Sequence, residues 1–325
     1  MASCPATLPL FMKGELLMQW PKLPLDVLLD RLSLPAEGKL SMVLDTDTYN
    51  EVDDQFALAY SLLSPERLDV QAVYAAPFHN DRSSGPRDGM EKSYDEIVRL
   101  LIKMGHGPEN FVFKGSESYL PDGDTPVSSP AAQDLVHRAM ARPDGDPLYV
   151  AAIGAITNVA SALLMEPELV KKIVVVWLGG QPLSYPTARE FNLTQDVPAA
   201  RVVLDSGVPF ILVPCMGVAS HLLATVPELK AYIGGKNPLC DALVELFAAY
   251  STDHFAWAKE IWDVAVIGCL VNPEWVPTVL EPSPLLAEES FWGRNPERHL
   301  IRVATGIHRN PIFKDMYEKL GSQAK

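Results

Sequence analysis

The chain has 325 residues, 48% hydrophobic and 21% charged, a balance that excludes a disordered chain, a collagen-like repeat and a disulfide scaffold. Its 41 acidic and 27 basic residues give a net charge of −14, and no local basic patch offsets it. A phosphate backbone would be repelled, which excludes nucleic acid as a partner. The apolar runs, such as Ile173 to Gly180, are too short to span a membrane. No basic region precedes a hydrophobic core at the N-terminus, so a secretory signal is not expected. Cys4, Cys215, Cys240 and Cys269 form no CxxC pair. Cys215 and Cys269 sit in apolar runs and read as buried free thiols, which fits a reducing, cytoplasmic setting.

Residues 1–38 read as an N-terminal extension whose apolar, Pro-punctuated stretch Leu16 to Leu34 packs on a single domain over 39–325. Lys39 to Asp45 predicts a buried strand, and Phe56, Leu58, Ala59 and Leu62 give helical spacing to Asp53–Leu63. Leu68 to Ala75 is a second strand. The polar loop Phe78 to Gly89 follows, and its Gly85-Pro86-Arg87-Asp88-Gly89 stretch reads as mobile, able to close over a ligand. Then come a helix over Met90–Met104, a short strand Phe111–Phe113 and a helix over Gln133–Ala141. Next are a strand Pro147–Ile153, a helix from Thr157 and an apolar strand Ile173–Leu178. Asp196 is a good N-cap for a helix to Asp205, with Pro198 in the first turn. Val208 to Val213 is the sixth strand. Beyond Met216 the chain is mainly helical, clearest at Leu239–Tyr250 and Ile261–Leu270, and His299–Ala304 is a late strand that returns to the sheet. Alternating strands and helices with apolar strands predict an α/β fold: an open, Rossmann-like, mostly parallel sheet with helices on both faces.

In such a sheet, ligands bind outside the carboxyl ends of the strands. After the first strand comes Asp45-Thr46-Asp47-Thr48-Tyr49-Asn50-Glu51-Val52-Asp53-Asp54. Like charges this close raise one another's pKa unless a cation neutralises them. Hard oxygen donors with no His or Cys nearby favour Ca²⁺ or Mg²⁺ over zinc. Favourable helix-start electrostatics would account for Asp53 and Asp54 alone, not for all five carboxylates.

The stretch VLDTDTYNEVDDQFALA resembles the opening motif of the inosine-uridine-preferring nucleoside N-ribohydrolases, usually DxDPGxDDxxAL. Here Thr-Tyr-Asn-Glu-Val replaces the usual Pro-Gly-x. Four later segments resemble the family in order. AVYAAPFHN ends in Asn80, YVAAIGAITNVA contains Ile153, WLGG is followed by Glu190-Phe191-Asn192, and Trp262-Asp263 opens a helix. The resemblance runs from about Leu40 to about Leu270.

It implies cleavage of the N-glycosidic bond of a small-molecule ribonucleoside, releasing ribose and base, with Ca²⁺ as cofactor. Asp47, Asp54, Asp263 and the carbonyl of Ile153 are the implied calcium ligands, and Asp47 is also the implied general base. Asp53, Asn80, Glu190 and Asn192 are the implied ribose contacts, with Asn50 of the altered loop within reach of the sugar and Asp45 as support. Trp262 stands where many members have a His thought to protonate the base. Trp-Asp here, with stacking of the base, resembles purine-preferring members. The general acid is then open among His79, His254 and water. Tyr94 and Trp257 are candidates to wall the base pocket, and Ser184 lies where a sugar-contacting Asn usually stands. The resemblance further implies a homodimer or homotetramer.

Two rivals stand beside this reading. Asp45-x-Asp47 at a first strand end also fits a Mg²⁺-dependent aspartyl phosphatase of the haloacid dehalogenase type, with Asp45 as nucleophile. That chemistry needs a later Lys and a distant acidic pair, whereas here the pair follows at once. The other rival is a nucleoside-binding module without turnover.

Overall fold

The computed structural model describes residues 19–323. Eight strands form the main sheet: β1 (Leu40–Thr46), β2 (Leu68–Ala75), β3 (Val112–Lys114), β4 (Leu148–Ala152), β5 (Ile173–Leu178), β6 (Phe210–Val213), β7 (Thr278–Pro282) and β8 (Leu300–Ala304). Their order is β3-β2-β1-β4-β5-β6-β8-β7. Every neighbouring pair is parallel except β8 with β7. The chain winds outward one way from β1 to β3, then restarts at β4 on the other side of β1. This makes β1 and β4 the switch point, where their carboxyl ends leave a crevice. The fold is the expected α/β sheet, and the late strand β8 does return to it.

The helices are α1 (Leu25–Leu32), α2 (Asp53–Leu62), α3 (Pro86–Lys103), α4 (Pro130–Met140), α5 (Thr157–Met165), α6 (Phe191–Gln195), α7 (Val197–Ser206), α8 (Val226–Tyr232), α9 (Pro238–Ala248), α10 (Val264–Val271) and α11 (Arg309–Ser322). They cover both faces, so the central strands β4, β5 and β6 are buried throughout. Side-chain alternation splits them between two cores. Val174, Val176 and Leu178 join Met42, Leu44 and Phe56 on one face, and Ile173, Val175 and Trp177 join Val43, Tyr74 and Leu163 on the other. In α1, Leu28 and Leu32 belong to the first of these cores. The part of the apolar N-terminal stretch before Gln19 lies outside the described residues.

The Asp196 side chain accepts the Ala199 N–H at the start of α7, and Gly207 ends that helix in the left-handed region (φ 80°). The Gly85–Gly89 stretch departs from expectation, because α3 already begins at Pro86. Proline suits a first turn, where its absent N–H would be unpaired anyway. Gly89 is packed so closely on the Phe78 carbonyl that a Cβ there would lie 2.0 Å from its oxygen. This stretch is an anchored helix start, not a closing loop. The edge strand β7 has no counterpart in the sequence reading. Its residues are exposed or half-buried, so it carries no apolar signature.

Candidate active site

The carboxyl ends of β1, β4, β5 and β6 converge on one cavity of about 250 Å³. Its wall includes Asp47, Asn50, Glu51, Asp53 and Asp54 from the first strand end and α2. Ile153 enters after β4, Gln181 and Glu190 to Asn192 after β5, and Cys215 after β6. Trp262 and Asp263, at the start of α10, complete the far side. Close backbone approach makes this convergence possible. A Cβ on Gly154 would stand 3.1 Å from the Asp47 Cγ. The buried Trp177 holds that turn by donating its Nε1–H to the Gly154 carbonyl (3.0 Å).

Carboxyl oxygens of Asp53, Asp54 and Asp263 lie within 4.8 Å of one another, all three residues buried, a grouping able to hold a metal ion. Asp53, read from sequence as a sugar contact, sits inside this triad, and Asp47 shares the same wall. Burial and then the charges of Asp54 and Asp53 push the Asp47 carboxyl well above the usual range. Burial and then Asp53 raise Asp54, although Thr46 donates to its Oδ1 (2.5 Å). Burial and the same neighbours raise Asp263. Burial and Glu51 raise Asp53 to about 6.

The Asp47 Oδ2 and the Asp53 Oδ1 are buried and have no hydrogen-bond partner. Oxygens left this way are costly unless a cation or donor meets them. Every candidate donor in the cluster is a hard oxygen. The one thiol on the wall, Cys215, is pushed up to about 12 by burial and then Glu190, so it stays protonated. The donor set therefore fits Ca²⁺ or Mg²⁺.

Glu190 and Asn192 come from the turn into α6. Glu190 caps that helix, accepting the N–H groups of Asn192 (2.9 Å), Leu193 (3.0 Å) and Gly180 (2.8 Å). Burial lifts its carboxyl to about 7 against those bonds. Asn192 Nδ2 donates to the carbonyls of Ile153 (3.2 Å) and Leu178 (2.9 Å), tying the ends of β4 and β5 together.

Several sequence candidates stand off the wall, His79, His254 and Asn80 among them. His79 is exposed, and its backbone N–H donates to Gln195 Oε1 (2.7 Å). His254 Nε2 bonds the Ala248 carbonyl (2.9 Å), and its ring lies against Trp257. Asn80 reaches the site only through Asn50, donating from Nδ2 to Oδ1 (2.6 Å). Tyr94 lies under the Lys114 ammonium and Trp257 packs on Phe247, both away from the wall. Ser184 belongs to a neighbouring groove. Asp45 is fully buried and held by Asn158 Nδ2 (2.8 Å), so it is no exposed nucleophile for a phosphatase.

Glu51, Leu178, Gln181, Phe191 and Cys215 also line the cavity, without a site role from sequence. Glu51, Leu178 and Phe191 lie inside the motifs that carry the resemblance. Cys215 is half-buried rather than buried, because it follows β6 at the cavity edge.

The fold is an open α/β sheet with buried carboxylates gathered at its switch point. The chain belongs to the inosine-uridine preferring nucleoside hydrolase family, whose model matches residues 42–309. It is an enzyme of the nucleoside N-ribohydrolase family. The pyrimidine-specific ribonucleoside hydrolase RihA of Klebsiella pneumoniae (strain 342) is 28% identical over 269 residues, 74% of this chain and 82% of that protein. RihA of Escherichia coli O9:H4 (strain HS) is 27% identical over 271 residues, with the same coverage of 74% and 82%. The purine-preferring ribonucleoside hydrolase from Gardnerella vaginalis superposes with a TM-score of 0.69 at 20% identity, over 87% of this chain and 98% of its own. The inosine-uridine preferring nucleoside hydrolase from Bacillus anthracis gives 0.65 at 15% identity, over 88% and 100%. At these identities the superpositions show the fold. Among the described residues no helix is long and apolar enough to cross a membrane.

Proposed function

We propose that the protein is a Ca²⁺-dependent ribonucleoside hydrolase that prefers purine nucleosides. The observation that carries this is the buried carboxylate group at the switch point, with the Asp47 Oδ2 and Asp53 Oδ1 left unpartnered. Asp47, Asp54, Asp263 and the carbonyl of Ile153 are the proposed calcium ligands, with Asp53 close enough to join them. Bound calcium supplies Lewis-acid polarisation and a grip on vicinal hydroxyls. Asp47 takes the proton of the attacking water on the carboxylate oxygen that no protein donor occupies. Asp53, Glu190 and Asn192 hold the ribose hydroxyls.

Trp262, half-buried on the wall with Phe191 in the same cavity, supports stacking of the base. The relatives' names divide between purine and pyrimidine substrates, so the purine preference rests on Trp262. A stacked purine is protonated from solvent, since neither His79 nor His254 lines the cavity. A fall in kcat of about a hundredfold in His79→Ala or His254→Ala would restore histidine as the acid. We further propose a cytoplasmic homodimer or homotetramer.

The test is release of free ribose from a panel of purine and pyrimidine nucleosides, with and without a chelator. Calcium-dependent release, larger for purines, is the expected result. Cleavage of a phosphate ester with no nucleoside cleaved would replace this reading with the phosphatase.

A further inference from the structure

Asn80 occupies the position of a sugar-binding Asn, yet both ends of its amide are engaged within the protein. Its Nδ2 donates to Asn50 Oδ1 (2.6 Å), and its Oδ1 accepts the Arg82 backbone N–H (2.8 Å). Asn50 is on the cavity wall. Its backbone N–H donates to the Asp47 carbonyl (2.7 Å), and its own carbonyl accepts from Arg82 Nη1 (3.2 Å). With Oδ1 accepting from Asn80, the side-chain atom that Asn50 has left for a new hydrogen bond is Nδ2, a pure donor.

The other amides on the wall are differently committed. Both hydrogens of Asn192 Nδ2 go to backbone carbonyls, and Gln181 Nε2 is tied to the Arg189 carbonyl (2.9 Å). The rest of the polar wall is dominated by carboxyl groups, which accept when ionised. A ribose hydroxyl that donates to a carboxylate still needs a donor for its own lone pair, and Asn50 supplies it beside Asp47.

We propose that Asn50 makes the sugar contact in this chain and that Asn80 is its positioning residue. The contact has moved from the strand end to the loop Thr48–Val52. This rests on the ribonucleoside reading above. The loop is pinned on both sides of Asn50. Arg82 lies over the Tyr49 ring (4.6 Å) and donates to the Tyr250 hydroxyl (2.8 Å), while Lys259 pairs with Glu51. Asn80 fixes the side-chain amide of Asn50 by making its Oδ1 the acceptor, which turns the donors toward substrate.

The experiment is a double-mutant cycle in the full chain with Ca²⁺, using Asn50→Ala, Asn80→Ala and the double variant. Inosine and uridine cleavage, D-ribose affinity by calorimetry and melting temperature are read for each. Asn50→Ala raises KM and the ribose Kd about tenfold with kcat changed far less, the scale of one lost hydrogen bond. Asn80→Ala raises both about threefold alone and adds nothing once Asn50 is gone, because coupled residues are not additive. Additive losses would show Asn80 touching the sugar itself and overturn the proposal. So would a folded Asn50→Ala with unchanged KM and ribose affinity. If Asn80→Ala melts below the assay temperature, Asn80→Ser, also too short to reach Asn50, takes its place. Wild-type protein that neither cleaves a nucleoside nor binds ribose would bring down the functional reading and this inference together. Wild-type cleavage with an additive cycle removes the inference alone.

Discussion

Two cavities lie side by side at this end of the sheet, and the proposed site is the smaller one. The groove bounded by Tyr185, Trp292, Arg294 and Glu281 encloses about 710 Å³, against about 250 Å³ for the carboxylate cavity. Gln181 of the smaller cavity links the two: its carbonyl accepts the Nε1–H of Trp292 from the groove (3.1 Å), and its Oε1 accepts the Met216 N–H (3.2 Å). The groove's one carboxylate is Glu281, and among the described residues no metal-holding group of acidic side chains gathers in it. The small cavity holds buried carboxylates with unpartnered oxygens. The contrast teaches that capacity for a ligand and capacity for chemistry are different properties. Volume is inexpensive for a fold to leave, whereas burying several carboxylates together costs stability and persists where function uses it.

The sharpest test of the comparison removes a carboxylate from the small cavity. Asp47→Ala is expected to lose calcium binding by calorimetry and to lower kcat/KM about a thousandfold or more, the scale of a missing general base. Full activity with metal retained would break the assignment. Chelation of the wild-type protein is expected to abolish ribose release, and added Ca²⁺ to restore it. Restoration by Mg²⁺ alone would point to the other hard cation.

The pH dependence tests the cost of the cluster. Asp45 and Glu190 are raised to about 7 and Asp53 to about 6 in the folded protein, all by burial first. The folded state therefore holds protons that the unfolded chain has released, so stability falls as pH rises. The metal-free melting temperature is expected to drop between about pH 4 and pH 7, the window between the unfolded and folded values. Calcium is expected to flatten the part of that drop owed to Asp53, which lies in the carboxylate group proposed to hold it. A metal-free melting temperature that rises across this window would show the cluster to be relieved in another way.

Trp262→Ala is expected to lower kcat/KM about tenfold for inosine and less for uridine, the scale of one lost stacking contact. Equal losses would reject the stacking role. The smallest effect belongs to the groove. Exposed Glu281→Gln is expected to leave kcat/KM within about twofold, as surface changes away from a site do. A large loss there would mean that the two cavities work as one.

Much of this molecule could be read from the residues in line. Strands β1, β2 and β5 are local apolar runs, and the α7 cap at Asp196 is a local hydrogen bond, so their bounds were visible. Edge strand β7 was not visible, because only its pairing with β8 makes it a strand. The start of α3 was misread because Gly85-Pro86 and Asp88-Gly89 look like turns until the Phe78 carbonyl is packed against Gly89.

The same division holds in the site. By itself the sequence determined that carboxylates would crowd the first strand end, since Asp45 to Asp54 are neighbours along the chain. Only the tertiary structure decided which of them face one cavity. It set Asp45 aside under Asn158 and brought Asp263 to Asp53 and Asp54 from the far end of the domain. It also gave the Asn80 amide to Asn50 rather than to the wall. The physical reason is that strand periodicity and local charge are written residue by residue. Which hydrogen-bonding atoms are already spent is known only when distant segments meet.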